Sequence, residues 1–169
     1  MQKNTPKKRK QIRLKEYDYS TPGYYFVTIC TQNRKEILSK ILINSKNKHY
    51  SVGANCVRPQ IQLSNTGKIL NEEISKIPNI YENVTLDEYV IMPNHIHIII
   101  GINYRRTQFA PTISQIIKQY KGSITKKLGY SIWQKSFYEH IIRNEKEYYK
   151  IIEYIRNNPI QWEEDEYFN

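Results

Sequence analysis

Aromatic and β-branched residues crowd into "GYYFVTICTQ", Gly23 to Gln32, and this pattern predicts the first strand. Further on, "SNTGKILNEEISKIP" opens with a Ser/Asn cap candidate and spaces Ile69, Leu70, Ile74 and Ile77 along one helical face. A helix is expected over about 65–77, with Gly67 weakening its start. In "VTLDEYVIMPNHIHIIIGI" two extended runs meet at Pro93, which has no N–H for a sheet ladder and so marks a bend, bulge or turn. Helical spacing returns in "PTISQIIKQYKGSITKKLG", where Ile113, Ile117, Tyr120 and Ile124 share a face and Gly129 ends the run. Lys118, Lys121, Lys126 and Lys127 make that helix basic. "SIWQKSFYEHIIRN" is extended again. "NEKEYYKIIEYIRNN" is a last helix, with a capping asparagine, acids in its first turn and Pro159 beyond its end. The order β, α, β(β), α, β, α predicts an α+β domain, an antiparallel sheet with helices packed on one face.

At 169 residues the chain suits one domain. The expected division is a flexible basic arm over 1–16, a single domain over 17–162 with an irregular insertion at about 42–60, and an acidic tail over 163–169. Cys30 and Cys56 stand far apart in no CxxC pair, which argues against a disulfide framework or a cysteine zinc site. With no apolar run of membrane-spanning length and no signal-type segment, the protein is expected to be cytoplasmic and without a membrane partner. The net charge is +10; the arm carries +6 and "EEDE", 163–166, removes four, so the body between them holds +8. A basic body attracts polyanions, nucleic acid foremost, and the 15 tyrosines add faces on which unpaired bases can stack.

Period two in "VIMPNHIHIII" sends His95 and His97 to one face of a strand and Ile96, Ile98 and Ile100 to the other. Two imidazoles on one face are either packed and hydrogen-bonded or half of a metal site, which needs a further ligand. The last helix offers candidates: Tyr154 and Asn158 stand four apart, beside an apolar stripe of Tyr148, Ile152 and Ile155 flanked by Ile151. Over the histidine face, such an edge would let two nitrogens and an amide oxygen hold Mg²⁺ or Mn²⁺ next to a phenol able to attack phosphate. Packing for Tyr154 and helix termination for Asn158 are the alternatives at this point.

These motifs together resemble the single-tyrosine transposases of the HUH superfamily, and most closely the REP-associated tyrosine transposases. The resemblance rests on "YVIMPNHIHIII", on "SIWQKSFYEHIIRNEKEYYKIIEYIRNNPIQW" and on "RLKEYDYSTPGYYFVTICT". It implies a ferredoxin-like or RRM-like HUH nuclease core, His95 and His97 as metal ligands, Asn158 as the third ligand and Tyr154 as nucleophile. It further implies attack on single-stranded or hairpin-forming DNA, leaving a 5′-phosphotyrosine and a free 3′-hydroxyl, which a later hydroxyl attack reverses. His140 matches a recurrent family histidine, with support of the site, phosphate contact and a core position all open. Arg9, Lys10 and Arg13 of the arm and Lys118 and Lys121 of the basic helix are the implied DNA contacts. Relatives differ on whether the tyrosine serves its own subunit or a partner's, so monomer and homodimer both stay open. The competing readings are a non-catalytic single-strand-binding module with structural histidines and a metallohydrolase that activates water.

Overall fold

A computed structural model of the chain describes residues 21–42, 59–103 and 111–168. The arm, with Arg9, Lys10 and Arg13, and most of the 42–60 insertion lie outside the described residues. Strand β1 spans Gly23–Cys30, β2 Ser39–Leu42, β3 Gln60–Leu63, β4 Val84–Ile91, β5 His95–Ile102 and β6 Tyr138–Ile142. The helices are α1, Asn65–Ile74; α2, Ile77–Ile80; α3, Ile113–Leu128; and α4, Glu145–Asn157. The main sheet runs β4-β5-β1-β6 with every neighbour antiparallel, and β2 and β3 pair separately. The architecture is the expected α+β one with an antiparallel sheet, but its helices do not share one face: α1 and α3 pack on one side of the sheet and α4 on the other, because the alternating strands present apolar side chains to both.

Alternation along β1 and β5 divides the sheet into two chemically different faces. Tyr25, Val27 and Ile29 join Ile96, Ile98, Ile100 and Ile102 in one buried cluster with Leu70 and Ile74 of α1 and Ile113, Ile116, Ile117, Tyr120 and Ile124 of α3. Each such aliphatic side chain contributes roughly 1.5–3 kcal/mol on burial, which makes this face the main source of stability. The other face carries Phe26, Thr28, His95, His97 and Ile99, and α4 lies over it through Ile155, with Tyr148, Ile151 and Ile152 at the margin.

Local chemistry explains the boundaries. Ser64 caps α1 by accepting from the Gly67 N–H at 3.0 Å, and a Cβ on Gly67 would stand 2.0 Å from the Leu38 carbonyl oxygen. That close approach is why a glycine occupies the first turn of the helix. Thr112 and Gln115 form a capping box at the start of α3, and Gly129 ends it at φ 78°, in the left-handed region. Three expected boundaries differ. The helix over 65–77 stops at Ile74, with α2 following as a separate turn; the extended stretch 131–144 contains a strand only at Tyr138–Ile142; and the margins of the irregular insertion, Leu42 and Gln60, belong to paired strands.

Candidate metal and nucleophile site

Pro93 makes the turn between β4 and β5, and that turn is tied down on several sides. Met92 N donates to the His95 carbonyl (2.9 Å), Leu38 N to the Pro93 carbonyl (2.9 Å), and the backbone N–H and hydroxyl of Thr31 to the Asn94 carbonyl (2.9 and 3.0 Å). The first residue of β5 is thereby fixed, and the histidines with it.

Their ring nitrogens are fixed as well. Asn94 Nδ2 donates to the Tyr167 carbonyl at 2.7 Å, so its Oδ1, 2.9 Å from His95 Nδ1, can only accept. His95 therefore carries its proton on Nδ1 and turns the Nε2 lone pair inward. His97 Nδ1 stands 2.9 Å from Thr28 Oγ1, its cross-strand partner. The two Nε2 atoms lie 3.0 Å apart. Adjacent ligands of an octahedral cation held at about 2.1 Å lie about 3 Å apart, so this spacing suits a shared ion. Burial pulls the His95 pKa down to about 4, against an opposing pull from Asp165 and Asn158, and burial followed by the neighbouring His95 holds His97 well below the ordinary imidazole value. Both rings are neutral at pH 7, as metal ligation requires.

From α4, Tyr154 brings its hydroxyl to 3.2 Å from His97 Nε2. Its ring stands edge-on to Phe26 with centroids 6.1 Å apart, and the side chain is 37% exposed, so it both packs and opens to solvent. Burial, then the charges of Asp165 and Glu166, push the phenol pKa up to about 12, with Asn158 opposing. Asn158, just past the end of α4, is 1% exposed; its Nδ2 donates to Asp165 Oδ2 at 2.5 Å, while its buried Oδ1 has no hydrogen-bond partner among the described residues. An orphaned carbonyl oxygen beside the His95 Nε2 lone pair and the facing His97 Nε2, whose proton an incoming ion would displace to Nδ1 or to solvent, is a donor set that fits a divalent cation. Two imidazole nitrogens and an Asp165 carboxylate oxygen all lie within 4.8 Å of one another.

The helix bearing Tyr154 is anchored by three polar links as well as by Ile155. Glu147 bonds His140 Nε2 (2.7 Å), Arg156 bonds Glu88 (2.7 Å) and the Tyr148 hydroxyl donates to Asp87 (2.8 Å). His140 is thus a strut between β6 and α4. Lys118 is exposed on α3, in the layer behind the isoleucine face. The ammonium of Lys121 donates to the carbonyls of Gln134 and Ser136, each at 2.9 Å, which ties down the chain that follows α3.

Four contributors escape sequence reading: Thr28, Asn94, Asp165 and Tyr167. Asn94 adjoins the histidines and could be suspected from that alone. Asp165 and Tyr167 lie in a stretch read only for its charge. Beyond α4 the chain folds back over the site: Trp162 is buried and the Tyr167 ring lies with its centroid 4.6 Å from that of His95. A cleft of about 720 Å³ opens above, lined by Phe26, Thr28, His97, Tyr138, Tyr154 and Asp165 among others.

Known proteins resemble this chain. An uncharacterized protein of Haemophilus influenzae is 37% identical over 182 residues, covering 95% of this chain and 93% of its own. A second protein of that organism, named for the REP-associated tyrosine transposases, is 26% identical over 155 residues, covering 85% of this chain and 74% of its own. Among solved structures, a REP-associated tyrosine transposase bound to a REP hairpin superposes with a TM-score of 0.58 at 21% identity, covering 89% of this chain and 74% of that one, and shares the fold. No protein-family model matches the chain. These relationships place the protein among the DNA transposases. Within them, the chain is similar to the REP-associated tyrosine transposases.

Proposed function

We propose that this transposase cleaves and rejoins single-stranded, hairpin-forming DNA through a covalent tyrosine intermediate, with a divalent cation at the histidine pair. The observation that carries this reading is the 3.2 Å between the Tyr154 hydroxyl and His97 Nε2, which unites a helix-borne nucleophile with a strand-borne ligand pair. His95, His97 and Asn158 would hold Mg²⁺ or Mn²⁺. Bound there, the ion would polarise the scissile phosphate and offset the charges that keep the phenol protonated.

The phenol oxygen of Tyr154 attacks phosphorus; the P–O3′ bond breaks, leaving a 5′-phosphotyrosine and a free 3′-hydroxyl. One phosphodiester replaces another, so bond energy is conserved and rejoining needs no nucleotide hydrolysis. Phe26 and the α4 anchors hold the phenol, Thr28 and Asn94 hold the rings, and the cleft admits the strand. In this reading one chain supplies both tyrosine and histidines. A hairpin as DNA partner is supported by the REP hairpin bound to the neighbour of like fold. Arg9, Lys10, Arg13 and Lys118 would supply sequence-independent backbone attraction.

The test is incubation with Mn²⁺ and end-labelled hairpin DNA bearing single-stranded flanks, followed by denaturing electrophoresis. Wild type yields a covalent protein–DNA band and Tyr154→Phe yields none, with an unchanged melting curve. Cleavage persisting in Tyr154→Phe would point to an activated water instead, and binding with no cleavage to a passive module.

A further inference from the structure

We propose that Asp165 is itself a metal ligand, so that the segment beyond α4 completes the cation site and closes on it when the ion binds. This rests on the reading of His95 and His97 as ligands.

Three observations converge. First, an Asp165 carboxylate oxygen and both imidazoles offer ligand atoms within 4.8 Å of one another, so that a small inward shift brings all three to one ion, whose opposite ligands stand about 4.2 Å apart. Second, Asn158 Oδ1 is buried at the same place with no hydrogen-bond partner among the described residues. Third, the carboxylate is held in place: its Oδ2 accepts from Asn158 at 2.5 Å and its Oδ1 from the Tyr167 N–H at 2.7 Å. Carboxylate oxygens keep further lone pairs after one hydrogen bond each, so these contacts orient Asp165 without using it up.

Charge gives the chemical reason. Two neutral imidazoles and an amide bring no negative charge to a buried dication, and uncompensated burial of an ion is costly. Mg²⁺ and Mn²⁺ prefer carboxylate oxygen. Among the described residues, Asp165 is the carboxylate grouped with both rings, its oxygen within 4.8 Å of a nitrogen of each.

The segment around it is built to dock. Asn94, which sets the His95 tautomer, does so by donating to the Tyr167 carbonyl, so ring orientation and segment position share one amide. Arg34 donates to the Glu166 carbonyl at 2.7 Å, and its guanidinium lies 5.1 Å from the centre of the Tyr167 ring. Trp162 lies near the opposite edge, its ring 5.9 Å from His95. Ion binding and segment closure are thus coupled through shared atoms.

Titration calorimetry with Mn²⁺ alone, on wild type, His95→Ala and Asp165→Asn, tests this, with amide hydrogen exchange over 162–168 read with and without the ion. Wild type should bind one ion, His95→Ala none, and Asp165→Asn at least about tenfold more weakly. Mn²⁺ should slow exchange across 162–168 in wild type and leave it unchanged in Asp165→Asn. Wild-type affinity in Asp165→Asn, alongside lost binding in His95→Ala, would overturn this proposal and leave the histidine site standing. Exchange over 162–168 that ignores Mn²⁺ in wild type would also overturn it, independently of how the variant folds. Failure of wild type to bind, or undiminished binding by His95→Ala, would remove the metal reading and this inference together.

Discussion

Replacing Thr28 by Val removes one hydroxyl while keeping the β-branched shape that suits a central strand. Thr28 and His97 are each 1% exposed, and 2.9 Å separates Thr28 Oγ1 from His97 Nδ1. Solvent cannot take the hydroxyl's place, so the variant leaves a buried ring nitrogen unpaired, at a cost of about 1–3 kcal/mol. For a chain of this length each kcal/mol moves Tm by about 2–4 °C, which predicts a fall of roughly 2–12 °C by calorimetry. The ring also loses the partner that orients it, and losing such a partner typically lowers metal affinity by about 10–100-fold. Mn²⁺ titration should show that loss in Thr28→Val and near-recovery in Thr28→Ser, which keeps the hydroxyl. Wild-type Mn²⁺ affinity in Thr28→Val would refute the reasoning, and so would a serine variant as impaired as the valine one.

Glu73 is 9% exposed and bonds Lys76 at 2.6 Å and Lys127 at 2.9 Å; the Lys76 hydrogen bond leads in lowering its pKa to about 2. The stability this lends is present above the unfolded value near 4.5 and lost as pH falls through about 2, so the wild-type advantage over Glu73→Gln, on the order of 1–2 kcal/mol after solvent screening of the lysines, should shrink across that window in acid denaturation curves. Lys118→Ala should lower hairpin affinity and reduce the slope of log affinity against log salt by about 1, as for a lysine on phosphate. Lys121→Ala should instead lower Tm, by the equivalent of about 1.5–3 kcal/mol for charged hydrogen bonds, with little change in salt slope, because its ammonium serves two carbonyls.

Much of this arrangement was legible in the residues. Alternation in "NHIHIII" separated the histidines from the isoleucines, and β5 does divide them between the site and the α1–α3 core. The stripe of Tyr148, Ile152 and Ile155 faces the sheet, with Tyr154 and Asn158 beside it at the site. Strands β2 and β3 were not legible, since four residues such as "SKIL" or "QIQL" carry too little period to distinguish them from loop. Thr28 was hidden because its role depends on pairing with a residue 69 positions away, a register that no local pattern encodes. Asp165 was hidden for another reason: in "EEDE" it reads as one charge among four, and only Asn158, Tyr167 and the return of the chain after α4 single it out.

Trypsin offers the most direct test of the nucleophile. Cleavage after Lys150 and Arg156 releases "IIEYIR", in which Tyr154 is the only hydroxyl-bearing residue. Mass spectrometry of the covalent complex formed with Mn²⁺ and hairpin DNA, after nuclease trimming, should find a nucleotide phosphate on this peptide. Finding the adduct on a peptide carrying Tyr138 or Tyr148, or finding "IIEYIR" unmodified while the DNA is cleaved, would contradict the assignment of Tyr154.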